Sequence, residues 1–244
     1  MLKVRLQTTK VFYLKLKNRP NVNRQKQIKR QNNIYYMNIH FLVAADKNFR
    51  FYASNLIEKI NDLDYPVIVY DLGGLEKGEK FDGRVSSIPH QTIPSKPNLI
   101  LNALSKIPKD EFLVWLDADT LIFGNVEEII GEYDIGVTVR KKKSKKIQEA
   151  WINAGVIFIK HTAASINFIE SWKRLTKYRG GDQWALNEIC NLDNSSLNEL
   201  VERESTAIKK FPCEIYNNFY FNQDQSMAKI LHYKANVRHN YPYK

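Results

Sequence analysis

The chain has 244 residues, of which 43% are hydrophobic, so it can bury a sizeable core, and a mainly disordered protein is excluded. Its formal net charge of +11 would favour a nucleic-acid-binding protein if that charge were spread over the whole chain. It is not spread evenly, because ten of the 37 Lys and Arg residues lie in 1–36, which hold no Asp or Glu, and the other 27 face 26 acidic residues.

The basic leading segment is expected to lie outside the folded core. Residues 18–36 are polar and lack apolar periodicity, whereas 1–17 contain enough apolar residues to form a strand or a short helix. We therefore predict a basic, flexible extension over 1–36 and a single domain over 37–244.

The apolar runs and the cysteines of the chain indicate the cellular location that we expect. No run approaches the roughly 18–20 apolar residues that span a bilayer, and the charged N-terminus does not fit a signal peptide. The two cysteines, Cys190 and Cys213, cannot form a disulfide framework, so we expect reduced thiols. These features predict a cytoplasmic protein, and peripheral contact with a membrane is left open.

Strand-like and helix-like segments alternate from residue 39 onward. Continuous apolar runs predict buried strands at 39–45, 67–72, 84–88, 112–116, 135–139, 156–159 and 229–233. Helices are predicted at 50–63, after Ser95, after a Thr162 cap and from Asp182, and Asn125 with Glu128 has the spacing of a capping box. The alternation predicts an α/β fold in which helices flank a mixed, mostly parallel sheet.

The strand at 112–116 leads directly into Asp117-Ala118-Asp119. In open α/β sheets ligands bind at the carboxyl ends of strands, and residues two apart in an extended chain share a face. Two carboxylates held together repel each other unless a cation lies between them, so Mg²⁺ or Mn²⁺ on a diphosphate is the expected occupant. The alternative is a pair of loop acids, one of which caps a turn.

The chain resembles one enzyme family through four segments in this order: WLDADTLIFGNVEEI, WINAGVIFIK, GGDQWALNEI and ILHYK. The combination is similar to the nucleotide-sugar glycosyltransferases of GT-A fold, particularly the retaining glycogenin-like and bacterial galactosyltransferase-like group. The resemblance extends from about Ile39 to Lys234. It implies transfer of a hexose from a nucleoside-diphosphate sugar, a UDP-sugar by analogy, to a glycan, lipid or protein acceptor with retention of configuration.

The resemblance also implies three metal ligands. Asp117 and Asp119 match the Asp-x-Asp motif, whose second acid binds Mn²⁺ while the first reaches both the metal and the donor ribose. His232 matches the late histidine of the family, the third protein ligand, and a neutral imidazole suits Mn²⁺. Without the resemblance, a lone histidine in a strand is more often a core or surface residue.

Donor-binding and catalytic residues are implied by the same matching. The donor-binding residues are Ala44, Ala45 and Asp46 at the base and ribose, Lys96, Asp117 and Ala118, Asn153, Ala154 and Gly155 at the sugar, and Lys234 near the diphosphate. Asp182 and Gln183 match the pair that faces the transferred sugar, and they are the candidates for stabilising an oxocarbenium-like state.

Several of these residues also have a plainer interpretation. Lys96 could be an ordinary solvated lysine, and Asn153-Ala154-Gly155 could be a tight turn. Asp182 could be a helix N-cap, since Asp is strongly favoured at that position.

Other functions compete with glycosyl transfer. WLDADT also fits the strand-DxDxT opening of haloacid dehalogenase-type phosphatases, with Asp117 as nucleophile, but the motif lies mid-chain and no late acidic pair follows. A nucleotidylyltransferase would need a Gly-rich loop with Arg after its first strand, where Asp46-Lys47-Asn48 stands. The basic extension could bind nucleic acid, and the basic residues of 140–146 either meet an anionic acceptor or membrane surface or form a solvated hairpin.

Overall fold

The structure is a computed structural model that describes residues 11–12, 38–72, 95–140, 152–179, 181–190, 200–203, 205–219 and 225–243. The predicted strand at 84–88, the polar segment at 18–36 and the lysines of 141–146 lie outside these residues. The strands are β1 (Val11–Phe12), β2 (Ile39–Ala45), β3 (Val67–Asp71), β4 (Phe112–Asp117), β5 (Thr120–Ile122), β6 (Ile135–Val139), β7 (Ile152–Lys160), β8 (Leu200–Arg203), β9 (Thr206–Pro212) and β10 (Ile230–His232). The α-helices are α1 (Arg50–Asp62), α2 (Lys96–Leu104), α3 (Ala163–Arg179), α4 (Asp182–Cys190) and α5 (Cys213–Tyr216), and 3₁₀ turns cover Glu127–Ile129 and Ala235–Asn240.

Within the described part of the chain, the main sheet has eight strands in the order β1-β3-β2-β4-β7-β6-β9-β8. The pairs β2–β3, β2–β4 and β6–β9 are parallel, and β7 runs antiparallel to both β4 and β6. Five strands (β2, β3, β4, β6 and β9) therefore share one direction, which confirms the predicted mixed, mostly parallel sheet. β1 lies inside the predicted extension and pairs antiparallel with β3.

Both faces of the sheet are covered, which explains the continuous apolar runs. Successive side chains of a strand point to opposite faces, so Leu42 packs with α2, α3 and α4 while Phe41 and Val43 pack with α1. The two cores stabilise the sheet from both sides, and polar side chains therefore gather at the strand ends. Among the described helices, none is both long and apolar enough to cross a membrane.

Local sequence signals set some helix ends and fail at others. The Thr162 cap is confirmed, since Thr162 Oγ1 accepts a hydrogen bond of 3.1 Å from the amide of Ser165. The capping box at Asn125 is wrong: no side chain caps the 3₁₀ turn at Glu127–Ile129, and Glu128 instead binds the Tyr216 hydroxyl at 2.8 Å. A partner far away in the sequence has captured the carboxylate. Both cysteines are free and buried, as predicted.

Candidate functional site

The two acids of the Asp-x-Asp motif lie where β4 ends and the short strand β5 begins. Asp117 is the last residue of β4, and the backbone turns at Ala118 and Asp119 before β5. The Thr120 hydroxyl donates to the carbonyl oxygen of Asp117 at 2.8 Å and so closes this turn. The chain is therefore bent rather than extended between the two carboxylates.

His232 joins this group through the small second sheet. β10 pairs antiparallel with β5, and His232 lies opposite Thr120. Its Nε2 lies 3.3 Å from Asp119 Oδ1 and 3.9 Å from Asp117 Oδ2. One ligand atom from each of the three residues lies within 4.8 Å of the others, an arrangement that could hold a metal ion. We call Asp117, Asp119 and His232 the metal trio.

The orientation of the His232 ring is fixed by Asn217, which the sequence analysis did not identify. Nδ1 of the ring lies 2.8 Å from Asn217 Oδ1. The amide nitrogen of Asn217 donates to Thr138 Oγ1 at 2.8 Å and to the Asn153 carbonyl at 3.0 Å, so its oxygen must face the ring. Nδ1 therefore carries a proton, and Nε2 is the ring nitrogen that faces the carboxylates, as in metal sites with an oriented histidine.

Gly155 allows the ring to approach the sheet. It lies within β7, so the tight-turn interpretation of Asn153-Ala154-Gly155 is wrong. A Cβ at Gly155 would lie 2.3 Å from His232 Cε1 and 3.3 Å from Asp117 Oδ2. Glycine is required here for close approach, because any side chain would occupy the place of the imidazole.

Asp119 is buried between the imidazole of His232 and the guanidinium of Arg238. Besides His232, Arg238 contacts it, with Nε and Nη2 both 2.9 Å from Oδ2. Burial alone would raise the pKa of Asp119, but the charges and hydrogen bonds of His232 and Arg238 outweigh burial and hold the pKa well below its usual value. The carboxylate is thus ionised at neutral pH. Arg238 was not predicted from the sequence, and the 3₁₀ turn after β10 brings it back to the site.

Lys96 is a buried cation that joins the motif to α4. Only 8% of the residue is exposed, and Nζ lies 2.9 Å from Asp117 Oδ1, 2.9 Å from Asp182 Oδ2 and 2.8 Å from the Ala154 carbonyl oxygen. Burial would lower the pKa of Lys96, but the two carboxylates outweigh burial and raise it. The solvated-lysine interpretation is therefore wrong. The Trp115 indole also donates to Asp117 Oδ1, at 2.8 Å.

Asp182 serves the start of α4 and the site together. Its Oδ1 accepts from the amide of Gln183 at 2.8 Å, and its carbonyl oxygen accepts from the Trp172 indole at 2.8 Å, while Oδ2 contacts Lys96. The helix-start interpretation and a position in the site are compatible. Gln183 follows as a half-buried residue of the first turn.

The proposed nucleotide residues lie at the end of β2. Ala44 pairs with Asp117 across the two parallel strands. Oδ1 of Asp46 accepts from the amides of Asn48 and Phe49 and so forms the turn into α1, whereas Oδ2 is buried with no hydrogen-bond partner among the described residues. Asn153 Nδ2 is likewise buried without a partner in the described part of the chain.

Lys234 is half-buried beside an aromatic ring. Its Nζ lies 4.3 Å from the centroid of the Phe219 ring, and Arg140 Cζ lies 5.0 Å from the same centroid. Burial, followed by the charge of Arg140, lowers the pKa of Lys234 to about 8, and Asp117 and Asp119 oppose the shift. Lys234 therefore interacts electrostatically with Arg140, Asp117 and Asp119.

Solved glycosyltransferase structures share this architecture. A glycosyltransferase involved in the glycosylation of the major capsid of PBCV-1 is 15% identical, with a TM-score of 0.57 over 83% of this chain and 95% of that chain. GlyE of Streptococcus pneumoniae TIGR4 is 15% identical, with a TM-score of 0.52 over 82% of this chain and 55% of that chain. No curated protein sequence matches the chain.

These similarities show the fold, which the chain shares with glycosyltransferases of GT-A type. The family model for nucleotide-diphospho-sugar transferases matches residues 100–242, more than half of the chain. The protein belongs to this family, and its donor is a nucleotide sugar.

Proposed function

We propose that the protein transfers a hexose from a nucleoside-diphosphate sugar, a UDP-sugar, to an acceptor hydroxyl, with dependence on a divalent metal and retention of configuration. The observation that supports this most directly is the convergence of the metal trio, whose ligand atoms lie within 4.8 Å of one another. Asp117 ends a strand of the main sheet, Asp119 lies in the following turn and His232 belongs to the second sheet, so no single motif would bring them together.

The residues of the trio fit a divalent cation. Two carboxylates and an imidazole suit Mn²⁺, and Mg²⁺ would also accept the carboxylates. The cradle supports this fit, because Gly155 leaves room for the ring and Asn217 directs its Nε2 to the carboxylates. When bound, such an ion neutralises negative charge on a departing nucleoside diphosphate.

The order of the strands supports a placement for the donor. Ala44 at the end of β2 lies beside Asp117 of β4, and Leu116 pairs with Val156, so that Gly155 of β7 follows on the other side. Nucleotide, diphosphate and sugar would then lie along β2, β4 and β7 in turn. Two buried atoms have no hydrogen-bond partner among the described residues: Asp46 Oδ2, just beyond β2, and Asn153 Nδ2, on β7. A ribose or base would satisfy the first, and a sugar hydroxyl the second.

Asp182 and Gln183 are the proposed groups that act on the transferred sugar. Lys96 contacts both Asp182 and Asp117. Asp182 is therefore linked to the metal trio through the Lys96 ammonium group. Its negative charge would stabilise the positive charge that develops on the sugar ring, and the Gln183 amide would orient the sugar. Lys96 fixes the relative positions of the two carboxylates and prevents their mutual repulsion.

The acceptor and the location complete the proposal. The acceptor is a glycan, lipid or protein, and the two buried free thiols support a cytoplasmic enzyme that can approach a membrane surface peripherally. The phosphatase and the nucleic-acid-binding alternatives are not favoured, because the family match and the fold are those of sugar transferases.

A donor panel tests the proposal. The purified chain is incubated with nucleoside-diphosphate sugars and Mn²⁺, and the release of nucleoside diphosphate is measured with and without EDTA. We expect Asp119→Asn to reduce release at least about 100-fold, since it removes a charged ligand. Asp134→Asn is the matched control, because Asp134 is also a hydrogen-bonded carboxylate but binds Thr162 and the Ala207 amide. Full activity of Asp119→Asn, or release that EDTA does not change, would refute the metal-dependent mechanism.

A further inference from the structure

Two cations converge on one aromatic ring at the edge of the site. Lys234 Nζ lies 4.3 Å and Arg140 Cζ 5.0 Å from the centroid of Phe219, and all three side chains are half-buried. Arg140 directly follows β6, Phe219 lies after α5 and Lys234 lies after β10. The fold rather than the local sequence therefore brings them together. We call these three residues the cation pair and its ring.

Holding two like charges together has an electrostatic cost. Each cation gains from the face of the ring, but the mutual repulsion of the two cations grows as burial lowers the effective dielectric constant. Proteins place converging Arg and Lys side chains in clefts where an anion binds, because fixed cations raise the local concentration of negatively charged ligands. The arrangement therefore has the chemistry of an oxyanion site.

The strand order places Arg140 on the side of the site away from the nucleotide residues. Ala44 is the second-last residue of β2, Asp117 ends the neighbouring β4, Gly155 lies on β7, and Arg140 follows β6, the next strand again. Strands are spaced by roughly 4.8 Å, so Arg140 lies about three strand spacings, or ~14 Å, across the sheet from Ala44. A donor placed along β2, β4 and β7 would have its sugar, and hence the acceptor, on the Arg140 side.

We propose that Arg140 and Lys234, which both lie against Phe219, bind a phosphate or carboxylate group of the acceptor. Lys234, which the family resemblance implies to lie near the donor diphosphate, is thereby assigned to the acceptor together with Arg140. The inference rests on the proposed function for the direction in which the donor lies. It specifies the acceptor class: a sugar, lipid or peptide that carries an anionic group close to the hydroxyl that is glycosylated. The Phe219 ring beside the cations would contact the adjacent part of that acceptor.

The test uses inorganic phosphate as the probe and isothermal titration calorimetry on the full chain. Phosphate is titrated into the protein with Mg²⁺ present throughout, first without nucleotide and then with saturating UDP. Arg140→Met should weaken phosphate binding at least about tenfold, which corresponds to about 1.4 kcal/mol, and Arg140→Lys should recover part of the affinity. Lys209→Met is the matched control, because Lys209 Nζ also lies over aromatic rings, 5.4 Å from the centroid of Tyr133 and 5.0 Å from that of Phe211. The Lys209→Met variant should bind phosphate like the wild type.

The outcomes separate the two proposals. Phosphate binding that persists in the UDP complex and depends on Arg140 supports an acceptor subsite. Phosphate that UDP displaces would show that the cation pair serves the donor phosphates, and equal binding by wild type and Arg140→Met would show that the pair holds no anion; either result overturns the inference. If UDP does not bind the wild type at all, the proposed function fails, while the dependence of phosphate binding on Arg140 still decides whether the subsite exists.

Discussion

The fit of the His232 ring against Gly155 makes one substitution especially informative. In Gly155→Ala the new Cβ would lie 2.3 Å from Cε1 and 2.5 Å from Nδ1 of His232, well inside van der Waals contact. The ring cannot move away freely, because it is buried and its Nδ1 is held by Asn217 at 2.8 Å. Overpacking of this kind costs about 1–3 kcal/mol, which for a chain of this size lowers Tm by roughly 2–12 °C. Displacing an oriented ligand should also weaken Mn²⁺ binding about 10–100-fold.

Calorimetric titration with Mn²⁺ and thermal unfolding measure these two effects separately. Gly136→Ala is the matched control, since its Cβ would lie 2.7 Å from Phe211 Cε2 and 3.0 Å from the Phe158 side chain. It should lose comparable stability but keep the Mn²⁺ affinity of the folded protein. In a His232→Ala background the clash disappears, so Gly155→Ala should then cost little stability. Wild-type Mn²⁺ affinity in Gly155→Ala would refute the proposed role of Gly155. A loss of Mn²⁺ affinity no greater than that of Gly136→Ala would refute it as well.

Two further predictions concern the neighbours of the metal trio. Asn217→Ala removes the acceptor that orients His232, and calorimetry should show Mn²⁺ binding weakened about 10–100-fold. Asn217→Asp keeps an acceptor oxygen and should retain more Mn²⁺ affinity. Equal Mn²⁺ binding by both variants and the wild type would contradict the role of Asn217. The lowered pKa of Asp119 means that its contribution to stability is present above its unfolded pKa of about 3.9 and is lost as pH falls through the lower folded value. Urea unfolding in EDTA should therefore show a stability gap between wild type and Asp119→Asn that shrinks as the pH falls from about 5 to below 4, and a gap that widens over that range would contradict the assignment.

Local patterns were sufficient where a segment is buried on both faces or begins at a strong cap. The run at Ile39–Ala45 predicted β2, and the run from residue 112 predicted β4 up to its last residue, because a strand covered by helices on both sides has no polar positions to interrupt it. The α3 cap at Thr162 also depends only on neighbours in sequence. By contrast, β8 and β9 were not predicted, since alternating polar residues such as Lys209 leave no continuous apolar run.

The candidate site divides in the same way. Motif matching identified the residues of the metal trio individually, but the plainer interpretations of Lys96 and of Gly155 could be rejected only when the neighbours of those residues were known. Asn217 and Arg238 gave no signal in the sequence, because their roles depend on His232 and Asp119. Asn217 and Arg238 acquire these roles only when the fold places them beside His232 and Asp119.

Residue types at short spacing were enough to predict the class of fold, the acids at the end of β4 and the family resemblance. The pairing of β10 with β5, the room that Gly155 leaves for the His232 ring, and the contacts of Arg140 and Lys234 with Phe219 became known only from the folded chain. Contacts between segments far apart in the chain depend on how the strands pair and pack, and no local spacing encodes that pairing.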